Sequence, residues 1–318
     1  MQLHLYNEVV ISVKDLETAA KIYTDLLGWD IVWEGKGTPT QTHFWGLPET
    51  CQTDELLLGF QGLNYGKIRL VKFNNVYQQV IRSGGQAWDT GGILDIDLRV
   101  SDINWAYNEL TERGWHGYSQ PVTQTMGPFT VQEVLLKGHD EVVIAFVHRQ
   151  NPPHPNPFNL EGCTSPVYLS AMIVKDLAVA QDFFVNKLGF KLHNEIAFRG
   201  QEGRSMFGLP HNVAAQTNIK LSIIGPTNSR DALLDLVELE GIKGEDFSAG
   251  AVPPNRGILM YRFPVTDIES YAKMVEANGV PLRCSLQTIE IEAIGRTKQF
   301  AVQSPDGVWL EFWEKLQD

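Results

Sequence analysis

The chain has 318 residues, of which 43% are hydrophobic, and a net charge of −12 at pH 7. This length suits two domains with cores of their own, and the acidic balance argues against nucleic acid or an anionic membrane surface as a partner. The apolar runs are too short to cross a bilayer, and residues 1–5 do not resemble a signal peptide. The three cysteines, Cys51, Cys163 and Cys284, lack zinc-type spacing and favour a reducing, cytoplasmic location.

One pattern occurs four times along the chain. A Val-Lys-Asp-Leu sequence at 13–16 leads into a helical pattern that ends at Gly28, and it recurs at 174–177 before Gly189. Val-Ser-Asp-Ile at 100–103 and Val-Thr-Asp-Ile at 265–268 precede two further helical patterns. Self-similarity at such a long period indicates gene duplication and predicts four copies of one strand–helix–strands unit.

The first elements of each unit can be assigned from residue periodicity. Val9, Ile11 and Val13 alternate with other residues, which predicts a strand that packs on the helix of its unit through one face. An aspartate then precedes each helical pattern and is expected to be its N-cap, while a glycine ends the helix. These aspartates are Asp15, Asp102, Asp176 and Asp267.

The units group into two halves along the chain. Residues 1–83 and 90–150 form the N-terminal domain (1–150), and residues 165–225 and 255–318 form the C-terminal domain (165–318). Residues 151–164 contain four prolines and are expected to be the linker. Asn218–Ile223 is expected to be the strand that closes the third unit.

These motifs, together with Ser-Pro-Asp-Gly-Val-Trp-Leu-Glu-Phe at 304–312, resemble the vicinal oxygen chelate superfamily. This superfamily includes glyoxalase I, type I extradiol dioxygenases and bleomycin-resistance proteins. The resemblance implies an α+β fold in which four βαβββ modules form two open, barrel-like domains. It says little about function, because one fold can support several chemistries.

The resemblance also implies where metal ligands would lie: in the first strand, seven residues before the capping aspartate, and in the last strand of each unit. In this sequence the eight positions are Glu8, Arg69, Asp95 and Ala145, then Leu169, Lys220, Met260 and Glu311. None is a histidine, and an arginine next to carboxylates more readily pairs with them than admits a metal. No cofactor is favoured; the alternative is a divalent metal held by Glu8 and Asp95.

The N-terminal positions suggest a polar pocket. In it, Arg69 would bind an oxyanion while Glu8 or Asp95 transfers a proton, with Arg99 on the same strand face as Asp95. The alternative, structural interpretation is a buried ion-pair network that fixes the sheet.

The C-terminal positions suggest a second pocket around Glu311, an acid or base. Trp309 and Trp313 lie on the same strand face, and Lys220 would face the same cavity. Alternatively, Glu311 is tied to Lys220 or Arg262 and the tryptophans pack as core. His43 precedes Phe-Trp-Gly-Leu-Pro and is a candidate for the pocket mouth.

Three functions follow from these observations. The first is a metal-independent lyase or isomerase that carries out acid/base chemistry on a small oxygenated compound, aromatic or polyketide-like. The second is a ligand-sequestering protein of the bleomycin-resistance type, and the third is a metal-dependent enzyme of the glyoxalase or dioxygenase type. In each case the expected partner is a small molecule. The sequence is compatible with both a monomer and a homodimer.

Overall fold

The computed structural model of the protein describes residues 1–126, 128–153, 164–200 and 205–317. The fold is α+β and consists of four strand–helix–strands units, as the sequence predicts. Most of the expected proline-rich linker at 151–164 lies outside the described residues. Within the described part of the chain, no helix has the length and apolar character needed to span a membrane.

The first and fourth units lie at the two ends of the chain. The first unit comprises β1 (Gln2–Leu3), β2 (Glu8–Ser12), α1 (Leu16–Lys21) with a π-helical continuation (Ile22–Leu26), β3 (Asp30–Lys36), α2 (Pro39–Phe44), β4 (Gln52–Gly59) and β5 (Lys67–Asn74). The fourth comprises a 3₁₀ turn (Ser248–Gly250), β15 (Gly257–Thr266), α6 (Ile268–Ala277), β16 (Cys284–Ile291), β17 (Gly295–Gln303) and β18 (Trp309–Lys315).

The second and third units lie between them in the sequence. The second comprises β6 (Asp95–Arg99), α3 (Ile103–Glu112), β7 (His116–Gly117), β8 (Val122–Met126), β9 (Phe129–Lys137), a 3₁₀ turn (His139–Glu141) and β10 (Val143–Asn151). The third comprises β11 (Ala171–Ile173), α4 (Leu177–Gln181) with a π-helical continuation (Asp182–Lys187), β12 (Lys191–Arg199), α5 (His211–Ala214), β13 (Asn218–Gly225) and β14 (Leu234–Glu240).

The predicted helix boundaries are confirmed. Each capping aspartate accepts a backbone hydrogen bond from the first turn of its helix, as Asp15 does from the Thr18 amide at 2.8 Å. The glycines that follow all have positive φ, for example 76° at Gly28 and 80° at Gly189. Glycine adopts this left-handed conformation without a steric penalty from Cβ, so the chain can leave the helix there.

The pairing of the units differs from the two halves expected along the sequence. β2 of the first unit is hydrogen-bonded antiparallel to β15 of the fourth, which joins these units into one nine-stranded sheet. β6 of the second unit meets the segment before β11 of the third, where the Asp97 amide donates to the Leu169 carbonyl at 2.9 Å. The four units therefore form an outer pair, first with fourth, and an inner pair, second with third.

The last strand of the third unit also differs from the expectation. β13, which contains Asn218–Ile223, is followed by β14, and β14 runs parallel to β11 with Ala171 opposite Asp235. β14 is thus the closing strand. Its Leu-Asp-Leu-Val-Glu-Leu-Glu sequence alternates like a half-buried strand but lies in an acidic stretch that looks like a loop.

The alternation of residues along the strands separates three apolar clusters. Val9 and Ile11 face a large core that is shared by the helices of all four units. Val10, on the opposite face of β2, contributes to a cluster inside the outer pair, together with Met260 and Trp309. Ala145 and Leu221 belong to a third cluster, inside the inner pair. The concave face of each pair therefore holds its own set of inward-pointing side chains.

Candidate functional site

Five buried charged residues occupy the concave face of the outer pair, and we call them the ion-pair network: Glu8, Glu55, Arg69, Arg262 and Glu311. Arg69 forms a bidentate pair with Glu8 at 2.7 and 2.9 Å and also donates to Glu55 at 2.8 Å. Arg262 donates to Glu311 at 2.8 Å and to Glu8 at 3.2 Å. None of the five side chains is more than 4% exposed.

Neutral side chains complete this network. The indole Nε1 of Trp45 donates to Glu311 at 2.5 Å, the hydroxyl of Thr53 donates to Glu55 at 2.8 Å, and Gln41 accepts from Arg262 at 2.9 Å. Burial raises the pKa of Glu8, but Arg69 first and Arg262 second outweigh it, so that this pKa falls to about 2. Each of the three carboxylates accepts from at least one guanidinium group, and this arrangement is typical of a structural network.

The inner pair instead encloses a cavity of about 460 Å³. Its walls come from alternate residues of β6, β9, β12, β13 and β14, and most of them are apolar, such as Leu135, Phe198 and Leu221. A volume of this size accommodates a small organic molecule.

Four carboxyl groups also line this cavity, and we call them the acidic floor: Asp95, Asp97, Glu133 and Asp235. Burial, more than any other cause, raises the pKa of each: to about 6 for Asp95, about 7 for Asp235 and about 8 for Glu133. Burial first, and then the neighbouring acids Asp95 and Glu133, also raise the pKa of Asp97 well above its usual value. Carboxyl groups with such values exchange protons near neutral pH.

The strand registers show that three acids of the network have counterparts in the floor. Arg69 lies opposite Val10 and Leu57, just as Ala145 lies opposite Asp97 and Leu135 in the inner pair. β15 pairs with β18 as β11 pairs with β14. The equivalent pairs are Glu8 and Asp95, Glu55 and Glu133, and Glu311 and Asp235.

The same registers show that the two arginines have no counterpart. Ala145 stands in the place of Arg69, and Ala171 stands in the place of Arg262. The inner pair thus retains the acids, lacks the guanidinium groups, and has an open cavity lined by Ala171.

The structure separates the predicted site residues into these two places. Glu8, Arg69 and Glu311 meet in the network, whereas Asp95 and Arg99 line the cavity, so the expected site of Glu8 with Asp95 and Arg69 is not assembled. The units pair as outer and inner, which is the physical reason for this difference.

The remaining predicted binding residues lie away from the cavity. Lys220 pairs with Glu240 at the surface, and Asp235 holds the position assigned to Lys220, because β14 and not β13 closes the third unit. His43 is exposed on α2. Trp309 is buried in the outer-pair cluster, and Trp313 is half-buried with its indole donating to Asn7 at 3.2 Å. Lys220, His43 and the tryptophans are therefore not residues of the cavity.

Sequence reasoning missed Glu133 and Asp235 as site residues. Glu133 shares a face of β9 with Val131 and Leu135, and an acid on an otherwise apolar strand face is a recognisable signal. Asp235 shares a face of β14 with Val237 in the same way. Because β14 was not predicted as a strand, Asp235 was not considered as a site residue.

Neither place fits a metal ion. In the ion-pair network, Arg69 and Arg262 already occupy the space between the carboxylates, and a divalent cation would lie next to two guanidinium groups. Around the cavity, and elsewhere among the described residues, no group of three or more His, Cys, Asp or Glu side chains is arranged to hold a metal.

Comparison with known proteins supports the family assignment. The sequence profile of the Glyoxalase/Bleomycin resistance protein/Dioxygenase superfamily matches residues 5–146 and again 167–312. The chain belongs to this superfamily. No curated protein sequence matches the chain.

Solved structures agree in fold. Glyoxalase I from Zea mays superposes with a TM-score of 0.63 at 14% identity, over 98% of this chain and 92% of that one. A protein from Bacillus subtilis, provisionally assigned as a dioxygenase, gives a TM-score of 0.59 at 12% identity, over 99% of this chain and 86% of that one. At these identities the likeness is one of fold alone.

Proposed function

We propose that the protein is a metal-independent lyase or isomerase whose active site is the cavity of the inner pair. Its substrate is a small oxygenated compound, aromatic or polyketide-like, that fits between the apolar walls. The observation that carries the proposal is the presence of several buried carboxyl groups in a cavity with mostly apolar walls. The network of the outer pair has no catalytic role, because its charges are paired.

The carboxyl groups divide into an acid and a base near neutral pH. Asp95, with a pKa of about 6, is mostly ionised at pH 7, and it removes a proton from the carbon next to a substrate carbonyl. Glu133, with a pKa of about 8, is mostly protonated and donates its proton to the carbonyl oxygen. The enol that results is reprotonated at a different carbon in an isomerase, or it expels a leaving group in a lyase.

Hydrogen–deuterium exchange tests this proposal even while the product of the reaction is unidentified. Small aryl ketones and 1,3-dicarbonyl compounds are incubated with the protein in D₂O, and deuterium incorporation next to the carbonyl is followed by NMR. Asp95→Asn and Glu133→Gln are each expected to lower the rate by ~10²–10⁴-fold, the usual range for general acid–base groups. Asp30→Asn, at an exposed residue of β3, is the matched control and leaves the rate unchanged.

The pH profile adds a second criterion. Asp95 must be ionised and Glu133 protonated, so the rate is expected to rise through pH 6, peak near 7 and fall through 8. If Asp95→Asn abolishes the rise of the rate through pH 6, that limb belongs to Asp95. If Glu133→Gln abolishes the fall through pH 8, that limb belongs to Glu133. A rate that is independent of both residues contradicts the proposal.

A ligand-sequestering protein is the second candidate, and the predominance of apolar side chains around the cavity favours it. In that case, ligands bind to Asp95→Asn and Glu133→Gln as they bind to the unmodified protein, and no deuterium is incorporated.

We also propose that the protein works in a reducing compartment such as the cytoplasm. Of the three cysteines, Cys51 and Cys284 are free thiols in the described part of the chain, and Cys284 donates to the Phe44 carbonyl at 3.0 Å. Labelling of thiols in freshly lysed cells tests this: blocked thiols before reduction would contradict the proposal.

A further inference from the structure

Polarity changes with depth in the cavity of the inner pair. The side chains of Asp95, Asp97 and Glu133 are 2%, 4% and 8% exposed, whereas Arg230 at the cavity rim is exposed and Arg149 is half-buried. The deep end of the cavity is therefore acidic, and its outer part carries the arginines.

The acids of the floor lack cationic partners of their own. Oδ1 of Asp97 and Oδ1 of Asp235 are buried without a hydrogen-bond partner in the structure. Arg99, which lies on β6 with Asp97, lies over the Tyr168 ring at 3.9 Å and pairs with Asp231 at 3.6 Å. Among the described ion pairs, none joins a cation to the four acids of the floor.

Arg82 is close enough to Asp95 to lower its pKa, but its hydrogen bonds go elsewhere. Its guanidinium donates to the carbonyls of Gly91 at 2.9 Å, Gln86 at 2.8 Å and Asp89 at 3.0 Å. The Asp97 and Asp235 oxygens thus have no partner within the described part of the protein, and both residues line the cavity.

The outer pair of units shows which chemical group binds to the equivalent acids. There, the equivalents of Asp95, Glu133 and Asp235 bind the N–H groups of Arg69 and Arg262 at 2.7–3.2 Å. In the inner pair both arginines are alanines, and the space between the acids is open. The space that the two arginine side chains fill in the outer pair is therefore lined, in the inner pair, by the negative charge and hydrogen-bond acceptors that a nitrogen cation requires.

We propose that the ligand of this cavity is a small organic cation: an apolar, aromatic-sized skeleton that carries a protonated amine, with its ammonium group seated on the acidic floor. This deepens the proposed function, on which it rests, by naming the substrate class. The ammonium donates to the carboxyl groups of Asp97 and Asp235, which line the cavity, and the skeleton contacts Leu135, Phe207 and Leu221. Charge-assisted hydrogen bonds in a desolvated site are strong, so the contribution to affinity is large.

Binding of such a cation is linked to pH. The titratable and charged groups around the floor are Arg82, Asp95, Asp97 and Arg99 before and in β6, Glu133 of β9, His148 and Arg149 of β10, Tyr168, His193 of β12, and Arg230, Asp231 and Asp235 before and in β14. The raised pKa values of Asp235 and Glu133, about 7 and 8, mean that the floor loses protons between pH 6 and 8.5. An ammonium ion keeps its proton up to a pH of about 10 and favours the ionised floor, so its affinity is expected to rise with pH.

Three matched probes test the proposal by isothermal titration calorimetry on the full chain. They are 4-phenylbutylamine, 4-phenylbutan-1-ol and 4-phenylbutyric acid, which share one skeleton and differ in charge. At pH 8 the amine is expected to bind at least ~10-fold more tightly than the alcohol, because a hydrogen bond between charged groups is stronger than one from a neutral hydroxyl. The acid is expected to bind most weakly, and the affinity of the amine alone to rise from pH 6 to 8.

Variants locate the ammonium group. Asp97→Asn combined with Asp235→Asn is expected to lower the affinity of the amine by ~10-fold or more and to leave that of the alcohol within about 2-fold. Asp30→Asn is the control and changes neither. Because the probes are first compared on the unmodified protein, the proposal is tested even if the double variant does not fold.

Two results would overturn the proposal. The first is an amine that binds no more tightly than the alcohol, and the second is an amine affinity that does not respond to the double variant. If either occurs while Asp95→Asn and Glu133→Gln still abolish deuterium exchange, the cavity remains the active site and only the cationic substrate is wrong. If no probe binds and exchange is independent of Asp95 and Glu133, both proposals fail.

Discussion

The outer and inner pairs of units have equivalent acids but opposite electrostatics. In the outer pair, Arg69 and Arg262 occupy the space between the carboxylates, and the pKa of Glu8 falls to about 2. In the inner pair, Ala145 and Ala171 take those positions, the space is open, and the pKa values of the acids rise. Two residue types at two positions thus separate a structural core from a candidate active site on the same fold.

The test with the largest expected effect replaces one arginine of the network. Arg262→Met leaves Glu8 and Glu311 without one of their buried partners, and the loss in free energy of unfolding is expected to be about 3–5 kcal/mol. Urea denaturation at pH 7 measures it. The control Arg296→Met, at an exposed residue, is expected to change stability by less than about 0.5 kcal/mol.

A loss below about 1 kcal/mol for Arg262→Met would show that the network is not a compensated structural core. The outer pair would then be open to the same functional interpretation as the inner pair, and the contrast between them would fail.

Sequence reasoning found the fold and part of the site for identifiable reasons. The capping aspartates and terminal glycines recur with the same local chemistry, so the four units and their helices follow from short-range patterns. Asp95 was identified because it holds a ligand position that the family resemblance implies, and Arg99 because it shares a strand face with Asp95 by parity.

The rest depended on contacts between residues distant in the sequence. Glu8 is 254 residues from Arg262, and no local pattern indicates that their strands pair. Because the first unit joins the fourth, acids that look equivalent in one half of the sequence lie in different pairs. The loss of the two arginines becomes visible only once the registers are known.

The next test concerns the pH dependence of stability. The pKa of Glu133 is about 8 in the folded protein and near 4.5 when unfolded, so the native state binds the additional proton between these values. Stability therefore falls as pH rises through this window, and Glu133→Gln removes the effect. The variant is expected to be more stable than the unmodified protein by ~4 kcal/mol at pH 8 and nearly unchanged at pH 4.5.

Urea denaturation at pH 4.5, 6, 7 and 8 gives this difference directly. Glu292→Gln, at an exposed glutamate, is the control and should follow the unmodified protein at every pH. If Glu133→Gln is destabilising at pH 8, the carboxylate has a cationic partner, and the acidic floor is compensated like the network.

Restoring an arginine to the inner pair is the third test. In Ala171→Arg, the new guanidinium lies between Asp95 and Asp235, as Arg262 lies between Glu8 and Glu311. We expect a gain in stability of about 1 kcal/mol at pH 8, since the buried acids acquire hydrogen bonds to a charged group. The cavity is filled, so binding of 4-phenylbutylamine should be lost.

Ala171→Met is the matched control, because it fills the cavity with a flexible side chain that carries no charge. It should also block the probe, but without the gain in stability at pH 8. Equal stability of the two variants at that pH would mean that the carboxyl groups gain nothing from a cation. An arginine at position 171 would then not stabilise Asp95 and Asp235 as Arg262 stabilises Glu8 and Glu311.

The smallest expected effect is the response to metal ions. A metal that bound the folded protein at 100 times its dissociation constant would add about 2.7 kcal/mol to the free energy of unfolding. We expect no such change with Mn²⁺, Ni²⁺ or Zn²⁺, or on adding EDTA, because guanidinium groups fill the outer pair and the described residues of the floor lack a coordinating arrangement. Stabilisation that is lost in Asp95→Asn and Asp235→Asn but retained in Asp30→Asn would place a metal on the floor. In that case the vacated arginine positions would mark a metal-dependent enzyme, and the ammonium group would be the wrong cation.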